Sequence, residues 1–460
     1  MAIEKRILDE WRAIVGKNHV LTSPEDLACY SYDSTFMETL PGAVVNPATT
    51  EEVSAVMKVA YREGVPVTPR GMGSGLAAAS IPQENGMVLG LTRLNKIKEI
   101  DAENMMAWVE AGVVTADLQT EVENMGLFYP PDPSSIKHST IGGNIACNAG
   151  GPRCLKYGVT SDYLMGLTVV LADGRVIHTG GKAIKNVTTY NLTQLFAGSE
   201  GTLGIITEAL LKLIPKPKYV RTATAVYNRL EDAGETVNRI LLADITPATI
   251  ELMDNTTLNT IEEAMHLGLP IQAEAMLIIE ADGSDEAQVL KDIEAIARIA
   301  AENGASEVKV ARDEAERAQL WKARRSISPS LARRRPNKLG EDISVPRSKI
   351  PEAIRRIKAI SEKYNLPIAV FGHAGDGNLH PNILFDKRDA DEWDRVQKVT
   401  KEIFSTAVEL GGTLSGEHGV GTLKLPYLSL DVSPDVVALM KSIKQTLDPK
   451  GILNPGKKFA

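Results

Sequence analysis

Cysteine is nearly absent from this 460-residue chain: Cys29, Cys147 and Cys154 are the only three. They make no disulfide framework and no paired C-x-x-C spacing, and they are too few for a four-cysteine iron–sulfur cluster. Long apolar runs are missing too. No stretch approaches the roughly 20 residues a membrane span needs, and Met1 to Arg6 carry no apolar signal core. A cytoplasmic protein with no membrane span is the expectation. Positive charge is not in excess: 51 Lys and Arg against 59 Asp and Glu leave a net charge of −8. That balance argues against a nucleic-acid or anionic-membrane surface as the main partner. The remainder, 43% hydrophobic and 24% charged, is globular composition, with length for two or three cores.

The most informative stretch, residues 130–151, has no apolar period of 2 or 3.6. Prolines stiffen its front half, whereas Gly142, Gly143, Gly150 and Gly151 free the back half for close backbone approach. Ser134, Ser135, Ser139, Thr140, Asn144 and Asn148 add neutral donors. That composition suits a surface that wraps a diphosphate with dipoles rather than lysines. The plain alternative is a long irregular surface loop, which compact domains rarely carry without a use. Two further glycine-rich segments flank it. Residues 69–76 follow a strand-like run and place Arg70 near a phosphate-sized turn. They lack the third glycine of a dinucleotide fingerprint and soon meet Pro82. Residues 198–207 read as a loop and strand with backbone close to a ligand, or as a glycine-weakened strand.

Elsewhere the pattern is mixed helix and strand. Thr49 to Glu52 form a capping-box pattern, Val53, Val56, Met57 and Ala60 give a helix face, and Gly64 stops it. Strands are predicted at 65–68, 87–91 and 107–113, a helix at 115–125, and a hairpin at 163–178 around Asp173 and Gly174. Pro215 and Pro217 mark a boundary. Beyond it, strands are expected at 222–227, 248–253, 273–280 and 307–310. A helix at 285–303 is expected to turn Val289, Leu290, Ile293, Ile296, Ala297 and Ala300 inward. The expected domains are 1–218, 219–424 and a returning segment 425–460.

His373 and His380 flank a Gly375–Asn378 turn that brings them together across a hairpin mouth. With a carboxylate such as Glu417, two neutral imidazoles form an ordinary Zn, Mn or Fe site. Loop histidines more often make structural hydrogen bonds. Asp376, in a Gly-Asp-Gly turn, is read as bonding local backbone N–H groups.

Together the three glycine segments resemble the flavin-binding domain of the vanillyl-alcohol oxidase superfamily, nearest its FAD-linked 2-hydroxy-acid branch, the flavin subunits of glycolate oxidase and the D-lactate dehydrogenases. The resemblance implies an α+β fold: a flavin domain plus an α+β cap domain that carries the substrate. It implies FAD, non-covalent because the loop 70–76 holds neither histidine nor cysteine. It places Pro69, Arg70, Gly71, Met72, Gly73, Ser74, Pro133, Ser134, Ser135, Ser139, Thr140, Gly142, Gly143, Asn144, Asn148, Ala149, Gly150, Glu200, Gly201, Gly204, Ile205, Ile206 and Asn454 at the cofactor. It places a divalent metal on His373, His380 and Glu417, the catalytic base at His418, and Arg324 and Asn382 at the substrate. The implied reaction is oxidation of D-lactate or glycolate to the 2-oxo acid. Electrons are expected to leave to an electron-transfer flavoprotein or an iron–sulfur subunit. D-2-Hydroxyglutarate oxidation, an alkylglycerone-phosphate-synthase-like transferase and a non-catalytic flavoprotein subunit are the alternatives.

Overall fold

Thr49 caps a helix Thr50–Glu63 by accepting from the Glu52 N–H, and Glu52 Oε2 accepts from the Ala48 N–H at 2.7 Å. The box thus closes one residue further back than its usual form. Gly64 ends the helix at φ 69°, a left-handed turn that favours glycine. The computed structural model describes residues 3–459, and they divide into two compact units. Of the described residues the first comprises 3–150, 159–216 and 417–459; the second comprises 151–158 and 217–416.

In the first unit the inward face of Thr50–Glu63 (Val53, Val56, Met57, Ala60) packs in one cluster with Trp11, Val45, Val67 and Leu89. Side chains so buried contribute about 1.5–3 kcal/mol each relative to exposure. The sheet beneath runs Val20–Leu21, Ala43–Val45, Met87–Gly90, Val67–Arg70, and the last three strands are parallel. Leu453 bridges to Val67 in parallel, so the segment around Leu453 lies at this sheet's edge. A second, antiparallel sheet runs Ile97–Asp101, Met106–Glu110, Ile205–Lys212, Leu164–Val170, Val176–Gly180. Its final hairpin turns at Gly174, φ 85°.

One expectation fails here. Residues 130–151 are not irregular throughout, because Ile141–Cys147 is a helix capped by Thr140. Ile141 and Ile145, one turn apart, are fully buried. Gly142 lies against Ala111, where an added Cβ would stand 2.6 Å from the Ala111 Cβ. Two glycines at close contacts hide the helical period.

The second unit is one antiparallel sheet in the order Ala305–Val310, Tyr219–Tyr227, Ala275–Gly283, Thr249–Asp254, Ile368–His373, Asn378–Phe385, Asn337–Gly340, with Ile343–Ser344 also on Asn378–Phe385. Residues 151–158 belong to this unit because Lys156 Nζ and Tyr157 OH both bond the Asp282 carboxylate, at 2.5 and 2.7 Å. The helix Glu286–Glu302 buries Val289, Ile293, Ile296 and Ala300, but Leu290 is 45% exposed. A stripe of four residues at i, i+4, i+7 and i+11 already covers the sheet, and Leu290 lies on its flank.

Candidate active site

The first unit contains a cavity of about 1310 Å³, counted with the solvent in its open mouth. Three backbone segments build it: the loop after strand Val67–Arg70, the residues around helix Ile141–Cys147, and the turn entering strand Ile205–Lys212. Of the residues expected at the cofactor, all but Asn148 and Asn454 line it. Asn148 turns its side chain to the Ser161 N–H at 2.9 Å. Asn454 instead ties segments together, donating to the carbonyls of Ala79 (2.9 Å) and Glu200 (2.7 Å). Glu417 and His418 also line the cavity.

Its polar character is dipolar. No lysine lines it. Among the described residues, nothing in the chain accepts from the N–H groups of Gly71, Met72, Gly73, Ser74 and Gly75. At Gly75 an added Cβ would meet no atom within 4 Å, so the loop presents bare backbone to the cavity. Five such donors in a row form an anion-binding concavity, and this fits a flavin dinucleotide's diphosphate. The helix start does less than its glycines suggest, because Ile141 and Gly142 already donate to the carbonyls of Val113 and Ala111. Arg70 sits beneath the loop, over the Tyr30 ring at 5.9 Å. Burial draws its pKa down while Asp33 nearby opposes this.

Glu200 holds the His418 segment in place. Its carboxylate accepts from the N–H groups of Val420 and Gly421, both at 2.7 Å. Cys147 Sγ lies 3.1 Å from the Glu417 carbonyl oxygen, so both flanks of His418 are fastened. His418 Nδ1 is buried.

In the second unit, strand register does the work. Glu251 faces His373 directly across one antiparallel pair, and Phe371 faces His380 across the next. His373 and His380 are therefore diagonal neighbours, 4% and 6% exposed, with their Nε2 atoms 3.5 Å apart. Two nitrogens on a tetrahedral metal at about 2.1 Å would stand about 3.4 Å apart. The pair fits a divalent metal.

The turn between them runs through Gly377 at φ 88°, and Asp376 Oδ1 accepts from the Asn378 N–H at 3.2 Å. Asn382, 3% exposed, donates to the His380 carbonyl at 3.0 Å.

Glu251, which carried no expectation from the sequence, is fully buried. Burial pushes its carboxyl up, but His373 and Arg324 outweigh this and hold it down at about 2. Its Oε1 lies against His373 Nδ1, and its Oε2 accepts from Arg324 Nε–H at 2.5 Å. Arg324, on helix Glu314–Arg325, also lies over the Phe371 ring at 4.9 Å. A carboxylate inside the apolar strand 248–253 was the available signal, since charges are seldom fully buried unless paired.

Residues 216–458 match the family described as FAD linked oxidases, C-terminal domain, and residues 41–180 match an FAD binding domain. The glycolate oxidase subunit GlcD of Bacillus subtilis (strain 168) is 47% identical over 459 residues, covering 100% of this chain and 97% of the relative. A D-lactate dehydrogenase of Anaerostipes hadrus is 35% identical, with 99% of this chain and 97% of the relative covered. The crystal structure of p-cresol methylhydroxylase with substrate bound matches at a TM-score of 0.82 and 20% identity, over 98% of this chain and 96% of that one. That last likeness shows the fold. The chain belongs to the FAD-linked oxidases of the vanillyl-alcohol oxidase superfamily and is an FAD-dependent oxidoreductase.

Proposed function

We propose that this enzyme oxidises a small D-2-hydroxy acid, D-lactate or glycolate, to the 2-oxo acid. The observation that carries the reading is the pair of buried, converging Nε2 atoms of His373 and His380. It occurs in a chain whose relatives are named glycolate oxidase subunit and D-lactate dehydrogenase. FAD, when bound, supplies a two-electron hydride acceptor at N5. A divalent metal, Zn, Mn or Fe, supplies a Lewis acid that eases ionisation of the hydroxyl. His373 and His380 would be two of its ligands, and the family resemblance gives Glu417 as the third.

This chain's residues then bind, orient and deprotonate. Arg324 keeps its terminal guanidinium nitrogens for the substrate carboxylate, because Nε is committed to Glu251. Asn382 offers an amide beside it. His418 accepts the hydroxyl proton on Nε2, its other ring nitrogen being buried. The Cα–H electron pair leaves as hydride, so one proton and one hydride depart per 2-oxo acid formed. Three cysteines and no nicotinamide fingerprint favour transfer onward to a separate protein, an electron-transfer flavoprotein or an iron–sulfur subunit. Among the described residues no helix is long and apolar enough to cross a membrane.

A substrate panel with an artificial acceptor tests the reading. D-Lactate or glycolate should give the highest kcat/KM among D- and L-lactate, glycolate, D-2-hydroxyglutarate, a 4-alkylphenol and an acylated glycerone phosphate. Turnover of only the last two would overturn it.

A further inference from the structure

Glu251 is buried at the centre of the second unit's sheet and touches two groups of different purpose. Burying a carboxylate costs several kcal/mol unless its oxygens are satisfied. Here Oε1 lies within hydrogen-bond distance of His373 Nδ1, and Oε2 takes Arg324 Nε–H; an ionised carboxylate only accepts, so the imidazole must donate. The Thr249 hydroxyl lies at the long distance of 3.5 Å from Oε1. Each oxygen therefore has its own partner, and register makes the first contact unavoidable, since Glu251 and His373 are direct cross-strand neighbours.

We infer that Glu251 is a positioning residue that sets the His373 tautomer for metal binding and, with its other oxygen, aims Arg324 at the substrate carboxylate. An imidazole that donates from Nδ1 must, when neutral, leave Nε2 with a lone pair, and Nε2 is the atom that faces His380. Arg324 is held at Nε and stacked on Phe371, so only its two terminal nitrogens remain to meet a carboxylate. One side chain thus orders both halves of the substrate site. At His380 the Asp342 Oδ1 stands 3.9 Å from Nδ1, beyond hydrogen-bond distance.

The inference rests on the proposed metal and substrate reading, and its test separates the two. Glutamine at 251 keeps the shape but has one acceptor oxygen. It must turn an NH2 toward either His373 or Arg324, both of which are donors. Glu251→Gln, purified with its FAD and stripped of metal, should bind Mn²⁺ or Zn²⁺ about 10–100-fold more weakly than the wild type. Its KM for the acid should rise as well. Arg324→Lys, which leaves Glu251 on His373, should raise KM with metal affinity nearly unchanged. Long-range ¹H–¹⁵N spectra of the metal-free wild type should show His373 as the Nδ1–H tautomer, and this needs no variant that has to fold. Wild-type metal affinity in Glu251→Gln, or an Nε2–H tautomer in the wild type, would overturn the inference and leave the metal reading standing. A wild type that binds neither Mn²⁺ nor Zn²⁺ would overturn both.

Discussion

His373 and His380 point their Nε2 atoms at each other 3.5 Å apart because adjacent strands place them one diagonal step apart beside a tight Gly377 turn. If that gap is a metal site, chelation should abolish acid oxidation yet leave the flavin spectrum intact. The cavity is lined wholly by first-unit residues, so FAD should not depend on His373 and His380. Dialysis against a chelator, followed by absorbance and dye-coupled turnover, checks this. Full activity in a metal-free preparation would refute it.

His418→Ala should slow reduction of the flavin by about 10²–10⁴-fold, the usual contribution of a general base, with metal content unchanged. A 2-hydroxyl does not ionise at neutral pH, and His418 is a base lining the cavity. Stopped-flow reduction with metal analysis on the same sample is the measurement; a wild-type rate would remove His418 from the role.

Glu200→Gln should loosen the segment that carries His418. The carboxylate receives two backbone N–H groups at 2.7 Å, and an amide can accept only one of them well. Leaving a buried donor unmatched costs about 1–3 kcal/mol. The melting temperature should fall, and flavin reduction should slow without loss of FAD stoichiometry. An unchanged melting curve would show the clamp contributes nothing.

Gly71→Ala should weaken FAD retention. An added Cβ there would collide with Thr140 Oγ1, the cap of helix Ile141–Cys147. Either the cap or the loop must move, at roughly 1–3 kcal/mol for overpacking. Gel filtration followed by the ratio of flavin to protein absorbance reads this out, and undiminished occupancy would contradict it.

Asp254 gives a pH signature independent of catalysis. Burial raises its carboxyl to about 6 despite hydrogen bonds from Thr257. Unfolded aspartate releases its proton near about 3.9, so this group favours the fold most below that pH, and its contribution is lost as pH rises through about 6. Asp254→Asn keeps a good helix cap without the charge. Urea denaturation should show the variant gaining on the wild type by up to about 3 kcal/mol between pH 4 and 7. A gap that does not change with pH would contradict this.

Much of the cavity was readable because glycine, proline and hydroxyl residues declare backbone that must approach something. The helix Ile141–Cys147 was not, since Gly142 and Gly143 occupy positions where a Leu or Ala would have shown the period. Leu290 was misassigned because a one-dimensional pattern does not say how wide a stripe the sheet needs. Glu251 escaped because its partners, His373 and Arg324, lie 122 and 73 residues away. Strand register, which brings Glu251 and His373 together, is not local information.

The most direct test is anaerobic addition of D-lactate or glycolate to the FAD- and metal-replete protein. The account predicts that the oxidised flavin absorbance bleaches and that one pyruvate or glyoxylate appears per flavin. Flavin that stays oxidised with both acids and with D-2-hydroxyglutarate, in protein shown to hold FAD and metal, would contradict it.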